Sequence, residues 1–496
     1  MADYDRFPDP TYARTVLAPL FEGAKRFHAG AFDAIDRAHL VMLAETGILP
    51  AKEAGQIARA LDRIAAGRDL DAMTYTGEVE DYFFFIEAEL KRRLGPDLGG
   101  RLHTARSRND IDHTIFKMAL RVRIDALLDQ MRDLASALIA TAERQRDTLI
   151  VAYTHGQPAQ PSTFGHYLSA AIEILLRDIQ RIEYTREIVD LSSMGAAAIT
   201  TSGFPIDRDL VAHLLGFSAA QQNSYSCIAA VDYMTATYAA LELPMLHLGR
   251  LIQDLQFWSA FEVGQIHVPD AFVQISSIMP QKRNPVPIEH LRHLASQAAG
   301  RARTQISIVH NTPFTDMNDS EGETQEAGYA AFDVAERVLS LLTALIPALS
   351  IDEDRVAATT ARACITITEL ADTLVRDEGL SFRIAHEIAA ATARAVVASG
   401  SSLSKGYAPF ADAFAQIVSR PPALSPEAFA EAVSARNFVN RRDRFGGPAP
   451  SALDAAFAGY KAALAALDSR IAARRQVLEA AAAELVTCFD RLKDNA

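Results

Sequence analysis

Four polar segments interrupt a chain that is otherwise patterned for long helices. In order, they read RLHTARSRND at 101–110, YTHGQPAQPSTFGH at 153–166, SSIMPQKRNP at 276–285 and DMNDSEGE at 316–323. Binding and catalytic side chains tend to lie on loops that a rigid scaffold positions. We therefore expect the chemistry of this protein to come from these segments.

The segment SSIMPQKRNP places an ammonium, an amide and two hydroxyls just before a predicted helix. Pro285 suits a first helical turn, and Asn284 before it is the predicted N-cap. A helix start offers free backbone N–H groups, which together with Lys282, Ser276 and Ser277 suit the binding of an anion. These donors could hold a dicarboxylate and stabilise the doubly charged carboxylate that forms when a proton leaves the neighbouring carbon.

Two other segments would add donors to this site if folding brings them close. The added side chains would be those of Ser107, Arg108, Asn109, Thr154 and His155. Each feature also has an ordinary interpretation: serine pairs form turns, Asn-Pro pairs start helices, and a lone histidine is most often structural. Lys282 could be a solvated side chain, and the RSR at 106–108 could be a surface ion-pairing patch. Only the combination favours a binding site for a small anion.

Composition and charge limit the classes of partner. The 496-residue chain is 49% hydrophobic and 22% charged, with a formal net charge of -13 and no long basic run. This pattern does not predict nucleic-acid binding, and a small anion must be bound by local donors because the overall field repels it. Cys227, Cys364 and Cys488 are far apart without a CxxC pair, so neither a disulfide framework nor a zinc site is predicted.

The N-terminus and the hydropathy pattern predict a cytoplasmic protein without a membrane partner. The first residues, MADYDRFPDPTYART, carry acids and prolines where a signal peptide needs a basic start and an apolar run. No uninterrupted run of about 20 apolar residues predicts a membrane span.

Helical periodicity predicts an all-α protein with an elongated bundle of long helices. Apolar residues recur at steps of three and four, the spacing of one helix face. Four long helices are predicted over residues 111–145, 163–190, 229–264 and 288–309, the third with a kink at Pro244.

Breaker-rich stretches divide the chain into three predicted parts. LGPDLGGRLHTARSRND ends the first part, and the pattern changes again after about residue 360. We expect an N-terminal helical domain at 1–110, a central helix-bundle domain at 111–360 and a C-terminal helical domain at 361–496.

Three of the segments match motifs of one enzyme family. SSIMPQKRNP resembles the GSSxMPxKxNP loop that the fumarase/aspartase superfamily shares. RLHTARSRND is similar to the LHTGRSRND of argininosuccinate lyases, and YTHGQPAQPSTFGHYL to their YTHxQxAQPxTxGH pattern. FDAIDRAHLVMLAETGIL also resembles the start of that family, so the likeness runs from about residue 30 to at least residue 330.

The resemblance implies a fumarase/aspartase-like subunit in three parts around a central bundle of long helices. Four such subunits would form a homotetramer with a core of twenty helices, and each active site would be shared between three subunits. The implied reaction is the reversible elimination of fumarate from an N-substituted aspartate, a dicarboxylate or aminopolycarboxylate, without a metal or an organic cofactor. We therefore expect a carbon-nitrogen lyase.

Carried onto the matching positions, the resemblance assigns four catalytic residues. Ser276 would remove the β-proton of the succinyl moiety, and Lys282 and backbone N–H groups of the loop would lower the pKa of its hydroxyl. His155 paired with Glu289 resembles the family's charge-relay pair near the leaving amine, where the histidine would act as an acid or as an orienting group.

The resemblance also assigns substrate-binding residues. Arg108 would bind a carboxylate in planar bidentate geometry. Lys282 and Asn284 would hold the carboxylate that becomes the aci-carboxylate, and Met279 would pack on the substrate as the loop closes. Gln160 would be a positioning group. The binding set is Ser107, Arg108, Asn109, Thr154, Gln157, Met279 and Asn284.

Four departures from the family pattern fall near the leaving amine. Ile275 stands where the family has a glycine before the serine pair, which restricts the loop backbone. Phe83 in EDYF replaces the histidine of EDxH, and Val231 in NSYSCIAAVDY replaces an arginine. The family's YNxDLQEDK is matched by DMNDSEGET, in which the replacements for its Tyr, Gln and Lys are Asp316, Glu321 and Thr324.

These departures predict an amine half other than arginine, with ethylenediaminedisuccinate or a related aminopolycarboxylate as one example. Two alternatives stay open: a genuine argininosuccinate lyase, with the changes as neutral drift in loops, and a catalytically silent, crystallin-like homologue. The retained catalytic motif residues favour an active enzyme. Adenylosuccinate or fumarate chemistry is disfavoured because the first two motifs follow the argininosuccinate lyase form.

Overall fold

Helices dominate the computed structural model, which describes residues 7–318 and 322–494. The α-helices are α1 Pro10–Tyr12, α2 Ala18–Gly23, α3 Ala29–Glu45, α4 Ala51–Gly67, α5 Tyr82–Leu94, α6 Pro96–Gly100, α7 Arg108–Arg144, α8 Phe164–Val189, α9 Arg208–Leu214, α10 Ser226–Ala229, α11 Asp232–Ser259, α12 Val286–Ile308, α13 Gly322–Leu345, α14 Glu353–Ala363, α15 Ile367–Glu378, α16 Phe382–Ala398, α17 Tyr407–Val418, α18 Pro426–Ala432, α19 Ala435–Asn440 and α20 Pro450–Asp494. Two π-helical turns, Ala13–Leu17 and Ala24–His28, continue the N-terminal helices.

Short strands form four two-stranded sheets. The strands are β1 Leu149–Thr154, β2 Gln157–Thr163, β3 Leu191–Ser192, β4 Ala219–Ala220, β5 Ile266–His267, β6 Gln274–Ile275, β7 Arg283–Asn284 and β8 Ser350–Ile351. The pairs β1-β2, β5-β8 and β6-β7 are antiparallel, and β3-β4 is parallel. The all-α class is therefore confirmed, because the strands of the described residues are short and few beside the helices.

Five long helices pack in a closed cycle and form the central bundle. Helix α7 packs on α8, α8 on α11, α11 on α12, α12 on α13, and α13 returns to α7. Buried residues such as Ile124, Leu128 and Met131 of α7 recur at helical spacing on the inner face. Gly165 allows a close approach, because a Cβ there would lie 2.6 Å from the carbonyl oxygen of Ala142 at the end of α7. The predicted bundle of long helices is confirmed.

Two large apolar cores, beside two small clusters around Val151 and Ile228, organise the described residues. The larger one contains the bundle together with α3 and α4, and it also includes Leu467, Ile471 and Phe489 of α20. The smaller one is built from α15 to α18, around Leu374 and Phe410. Helix α20 therefore packs back on the bundle although it lies in the predicted C-terminal part, and the boundaries at residues 110 and 360 stay predictions.

The long helices follow the predicted ranges closely, and two local predictions differ. Asn284 was predicted as an N-cap, which is wrong: Pro285 is the N-cap of α12, and Asn284 pairs in β7. The segment at 153–166 was treated as a polar interruption, whereas it completes the hairpin β1-β2. Pro158 and Pro161 made the second strand hard to recognise from the sequence. Proline has no N–H to donate to the ladder and is tolerated in strands only at edges, at strand starts or at bulges. Pro244 lies inside α11.

Within residues 7–318 and 322–494, no helix combines the length and apolar character that crossing a membrane requires.

Candidate active site

A cavity of about 160 Å³ lies between the N-terminal helices, the start of α5 and the start of α7. Arg108 and Asn109 line it together with Phe83 and Asp316, two of the positions where the sequence departs from the family pattern. The fold therefore brings part of the first polar segment and part of the fourth to one site. The N-terminal segment also lines this cavity through Tyr12, Leu17, Leu20, Ala24 and His28, a contribution that the sequence analysis missed.

A buried carboxylate holds Ser107 at the start of α7, and Ser107 in turn contacts Asn109. The backbone N–H of Ser107 donates to Oδ1 of Asp110 over 2.8 Å, and the Ser107 hydroxyl donates to Oδ1 of Asn109 over 3.2 Å. The other oxygen of Asp110 accepts the backbone N–H groups of Gly195 and Ala197, both at 2.9 Å. Asp110 has no exposed surface, and its burial raises the pKa of the carboxyl while the backbone donors oppose that shift.

Asp110 therefore ties the predicted carboxylate-binding residues to the loop after β3. The sequence carried a signal for this role, since Ser107 and Asp110 have the spacing of a capping box. Asp110 closes the RLHTARSRND segment, but the motif by itself did not predict this positioning role.

Arg108 is held by two carboxylates of the neighbouring α5 start. One guanidinium nitrogen, Nη1, donates to Glu80 over 3.0 Å and to Asp81 over 2.6 Å, and the guanidinium lies 5.0 Å from the ring centre of Phe84. Burial opposes the charge, but the hydrogen bonds and charges of Asp81 and Glu80 raise the pKa of Arg108. A substrate carboxylate would compete with these acids for the guanidinium.

Two neutral imidazoles lie at the buried side of the cavity. His28 Nε2 is 3.1 Å from the hydroxyl of Tyr329, and His113 Nδ1 is 3.0 Å from the hydroxyl of Tyr233. Burial, with a smaller effect of nearby cationic side chains, lowers the pKa of His28 to about 4 and that of His113 to about 3. Neither histidine was singled out from the sequence, because a lone histidine within a helical pattern carries no distinctive spacing.

We expect these buried imidazoles to make the fold sensitive to acid. Together with His39, whose pKa burial lowers to about 3, His28 and His113 stay neutral in the folded protein while the unfolded chain protonates near 6.5. Their stabilising contribution is complete above pH 6.5 and is lost as the pH falls. Each should remove about 2 kcal/mol from the free energy of unfolding between about pH 7 and pH 5.

Urea titrations at one fixed protein concentration would measure this loss. His39→Gln should reduce the pH dependence of the free energy of unfolding by the contribution of one histidine. His386→Gln, at an exposed position of α16, should leave that pH dependence unchanged. An equal pH dependence in the wild type and His39→Gln would contradict the prediction.

The second predicted segment lies at the tip of the β1-β2 hairpin. His155 and Gly156 form the two-residue turn, with φ values of 54° and 72°, and Thr154 pairs with Gln157 across the ladder. Positive φ at both central positions is typical of the tight hairpin turns that match the twist of their strands. The turn residues are exposed and do not line the cavity of Arg108. The hairpin thus presents His155 to solvent.

The third segment is a loop closed by the short ladder β6-β7. Gln274 pairs with Asn284 and Ile275 with Arg283, so residues 276–282 protrude between them. The Ser276 oxygen accepts the backbone N–H groups of Met279 at 3.0 Å and Ile278 at 3.4 Å. Two converging backbone donors on one hydroxyl oxygen favour its deprotonated form.

The remaining predicted residues of this segment face solvent. Lys282 and Glu289 are exposed, and Met279 is 40% exposed. Asn284 donates from its amide to the carbonyl oxygen of Gln274 over 3.3 Å, which holds the ladder. Ile275 is 84% exposed on β6, in extended backbone, so a side chain is tolerated where the family has glycine.

The other departures lie at distinct places. Phe83 is buried and its ring lies 5.4 Å from that of His103, so it fills space. Val231 is the N-cap of α11, and Thr324 lies in the first turn of α13. Glu321 lies outside the described residues. Gln160, which is a predicted positioning group and not a departure, is exposed in β2, opposite Ala152.

Among the three motif segments, only described residues of the first line the cavity of Arg108. Arg108 and Asn109 lie at the cavity, whereas Thr154, His155 and the loop at 276–289 do not line it. The hairpin turn and the loop at 276–289 present exposed polar groups, whereas Ser107, Arg108 and Asn109 are half-buried.

Comparison with protein families gives two matches. Residues 31–300 match the family model described as lyase, and residues 364–440 match the one described as argininosuccinate lyase C-terminal. Argininosuccinate lyase 2 of Agrobacterium fabrum is 62% identical over 492 residues, which cover 99% of this chain and 98% of that protein. The argininosuccinate lyase of Methanothrix thermoacetophila is 34% identical over 457 residues and 92% of each chain.

Solved structures share the same architecture. An EDDS lyase variant with bound fumarate has a TM-score of 0.85 and 28% identity, with 98% of this chain and 99% of that chain covered. EDDS lyase in complex with formate gives a TM-score of 0.84 with the same identity and coverage. The class II fumarase of Schistosoma mansoni, 14% identical with a TM-score of 0.66 over 86% of this chain and 91% of that one, shares the fold.

Proposed function

The chain belongs to the argininosuccinate lyase family, within the fumarase/aspartase superfamily, and from this premise we propose which residues act and which amine is released. The family assignment makes the protein a fumarate-releasing carbon-nitrogen lyase. The proposal is that Ser276 starts the elimination and that the amine half of the substrate is not arginine.

The loop geometry at Ser276 carries the proposed base. Its oxygen accepts two backbone N–H groups, from Ile278 and Met279, and Lys282 lies on the same loop. These positive groups stabilise an alkoxide, which takes a proton from the carbon beside a substrate carboxylate. The electron pair moves into that carboxylate as an aci-carboxylate, then forms the C=C bond of fumarate as the C–N bond breaks.

Side chains from different loops bind the carboxylates of the substrate. Lys282 and Asn284 hold the aci-carboxylate, whose extra charge is the largest in the reaction. Arg108 with Ser107 and Asn109 binds a second carboxylate. Thr154, Gln157 and Met279 complete the enclosure, which excludes water and strengthens each charge interaction.

The leaving nitrogen needs a proton, and the hairpin is its proposed source. His155 at the hairpin tip, paired with Glu289 at the start of α12, lies next to the amine and protonates or orients it. Because the hairpin turn and the loop at 276–282 do not line the cavity at the start of α7, we propose a homotetramer with a core of twenty helices. Each active site then draws one segment from each of three subunits.

The identity of the amine rests on the departures from the family pattern. Asp316 lies at the cavity in place of a tyrosine, and Thr324 replaces a lysine that would pair with the carboxylate of an arginine product. The similarity to EDDS lyase, whose name denotes ethylenediaminedisuccinate, supports an aminopolycarboxylate. The 62% identity to Argininosuccinate lyase 2 of Agrobacterium fabrum favours the alternative, release of arginine.

Steady-state kinetics on argininosuccinate, ethylenediaminedisuccinate and N-alkyl aspartates would decide between these amines. We expect the specificity constant kcat/KM, followed by fumarate absorbance, to be lowest for argininosuccinate among the substrates that react. A strong preference for argininosuccinate would establish the alternative. Absence of fumarate release from every substrate would instead support a catalytically silent, crystallin-like protein.

A further inference from the structure

A second cavity, of about 520 Å³, lies between the base of the β1-β2 hairpin, α14 and the start of α19, and it shares no lining residue with the candidate active site. Its apolar walls come from two different clusters. Leu149 and Val356 pack in the small cluster around Val151, whereas Leu403 and Val433 belong to the smaller of the two large cores. Small-molecule sites often lie at such junctions, with volumes of about 300–1,000 Å³.

A buried hydroxyl without a hydrogen-bond partner lines this cavity. Thr366 is 2% exposed and is the N-cap of α15, yet its side chain makes no capping hydrogen bond. Among residues 7–318 and 322–494, its hydroxyl has no partner, and the same holds for the hydroxyls of Thr148 and Thr360, which also line the cavity. A buried polar group without a partner is unfavourable, so a polar ligand here would satisfy the Thr366 hydroxyl.

Two opposite charges line the same cavity and do not pair with each other. Arg436 donates from Nη1 to the backbone carbonyl oxygen of Asp147 over 2.9 Å, and its guanidinium has no ion pair with any carboxylate in the described part of the chain. Glu353, in the first turn of α14, likewise has no ion pair there. The third charged lining group, the carboxylate of Asp147, is paired with Arg146 at 3.3 Å. A free guanidinium and a free carboxylate complement a ligand with one carboxylate and one ammonium.

We propose that this cavity is a second small-molecule site, for a zwitterionic α-amino acid whose side chain ends in an uncharged hydrogen-bonding group. Arg436 and Glu353 are exposed, so they bind the carboxylate and the ammonium of the ligand at the mouth of the cavity. The stem of the ligand side chain packs on Val356 and Leu403, and its polar end exchanges hydrogen bonds with the buried Thr366. The inference goes beyond the proposed function, because none of these residues takes part in the proposed elimination.

The cavity has room for such a ligand, and binding should stabilise the fold. A cavity of about 150 Å³ holds benzene, so a volume of about 520 Å³ exceeds what the roughly ten non-hydrogen atoms of L-glutamine need. The ligand contacts the hairpin base and α14 on one side and the C-terminal helices on the other. Because it binds the folded protein and not the unfolded chain, it should raise the midpoint temperature of thermal unfolding.

Isothermal titration calorimetry of the full-length protein with L-glutamine and three analogues tests each proposed contact. N-acetyl-L-glutamine lacks the ammonium, L-glutaminamide lacks the carboxylate, and L-homoleucine has the same shape without the side-chain amide. We expect L-glutamine to bind and each analogue to have a dissociation constant about threefold to tenfold higher, because each loses one exposed charge pair or one hydrogen bond.

Two variants assign the binding to this cavity. Glu353→Gln should remove the difference in affinity between L-glutamine and N-acetyl-L-glutamine, whereas Asp354→Asn, at an exposed position of the same turn of α14 outside the cavity lining, should preserve it. Thr366→Val keeps the shape of the side chain and removes its hydroxyl, so it should remove the preference for L-glutamine over L-homoleucine. Since the Thr366 side chain makes no capping hydrogen bond, we expect this variant to fold.

The outcomes separate this inference from the proposed function, because the titrations measure binding without turnover. Absence of L-glutamine binding, or equal binding of N-acetyl-L-glutamine, overturns the amino-acid site. Binding that Glu353→Gln and Thr366→Val both leave unchanged takes place elsewhere and overturns it as well. A protein that binds L-glutamine as described but releases no fumarate from any N-substituted aspartate keeps this inference and loses the proposed function.

Discussion

Ser276→Ala is expected to lower kcat by about a thousandfold, because a positioned general base contributes about a hundredfold to ten-thousandfold to a proton transfer. The hydroxyl oxygen is where the N–H groups of Ile278 and Met279 converge, and alanine leaves no group there to take the proton. KM should change little, since the carboxylates of the substrate are bound by other side chains. Steady-state rates of fumarate release would measure both constants.

Ser277→Ala is the control, because the residue is exposed, lies on the same loop and has the same side chain. We expect it to lower kcat by less than about tenfold, consistent with a loss of minor hydrogen bonding. Turnover of Ser276→Ala within a few-fold of the wild type would show that another group is the base. Near-equal losses in the two variants would show that the loop as a whole, and not the Ser276 oxygen, matters.

Asp110→Asn is expected to lower the free energy of unfolding by about 3 kcal/mol, since buried hydrogen bonds to a charged group contribute about 1.5–3 kcal/mol each. The carboxylate accepts three backbone N–H groups, from Ser107, Gly195 and Ala197. An asparagine has one acceptor oxygen, and its NH₂ group would face a backbone donor. Urea unfolding at one fixed protein concentration would measure the loss.

The same variant should also weaken substrate binding, because Asp110 fixes the residues of the predicted carboxylate site. We expect KM for fumarate to rise by about tenfold or more while kcat falls less, a split typical of lost binding. Asp207→Asn is the matched control, since Asp207 is an exposed N-cap that accepts the backbone N–H of Leu210 at 2.8 Å. Its loss should be about 1 kcal/mol with no change in KM.

A stability loss in Asp110→Asn no larger than that in Asp207→Asn would contradict the role of the buried carboxylate. An unchanged KM would show that the ties to Gly195 and Ala197 stabilise the fold without positioning Ser107 and Asn109.

Helical elements were predictable because their signals are local. The apolar spacing placed α7, α8, α11 and α12 within a few residues of their observed ends. The buried face of a helix produces a regular spacing of apolar residues, and this spacing can be recognised directly in the sequence. The hairpin was missed because its second strand contains two prolines. The pairing of this strand with β1, and not its own composition, makes it a strand.

The site was predictable only as a set of motifs. Ser276, His155 and Arg108 were singled out by their resemblance to a known pattern, while the two backbone donors on Ser276 follow from how residues 276–279 turn. His28 and His113 could not be found from spacing, since each becomes a cavity group only when the N-terminal helices pack against α7.

By itself, the sequence determined the all-α class, the long helices, the family and the residues of its motifs, because periodicity and motif spacing are properties of neighbouring residues. Tertiary structure alone decided what surrounds those residues: the acids that hold Arg108, the carboxylate that anchors Ser107, the buried imidazoles, and which motif residues line the cavity. These depend on contacts between residues far apart in the chain, whose desolvation and hydrogen bonding no local pattern encodes.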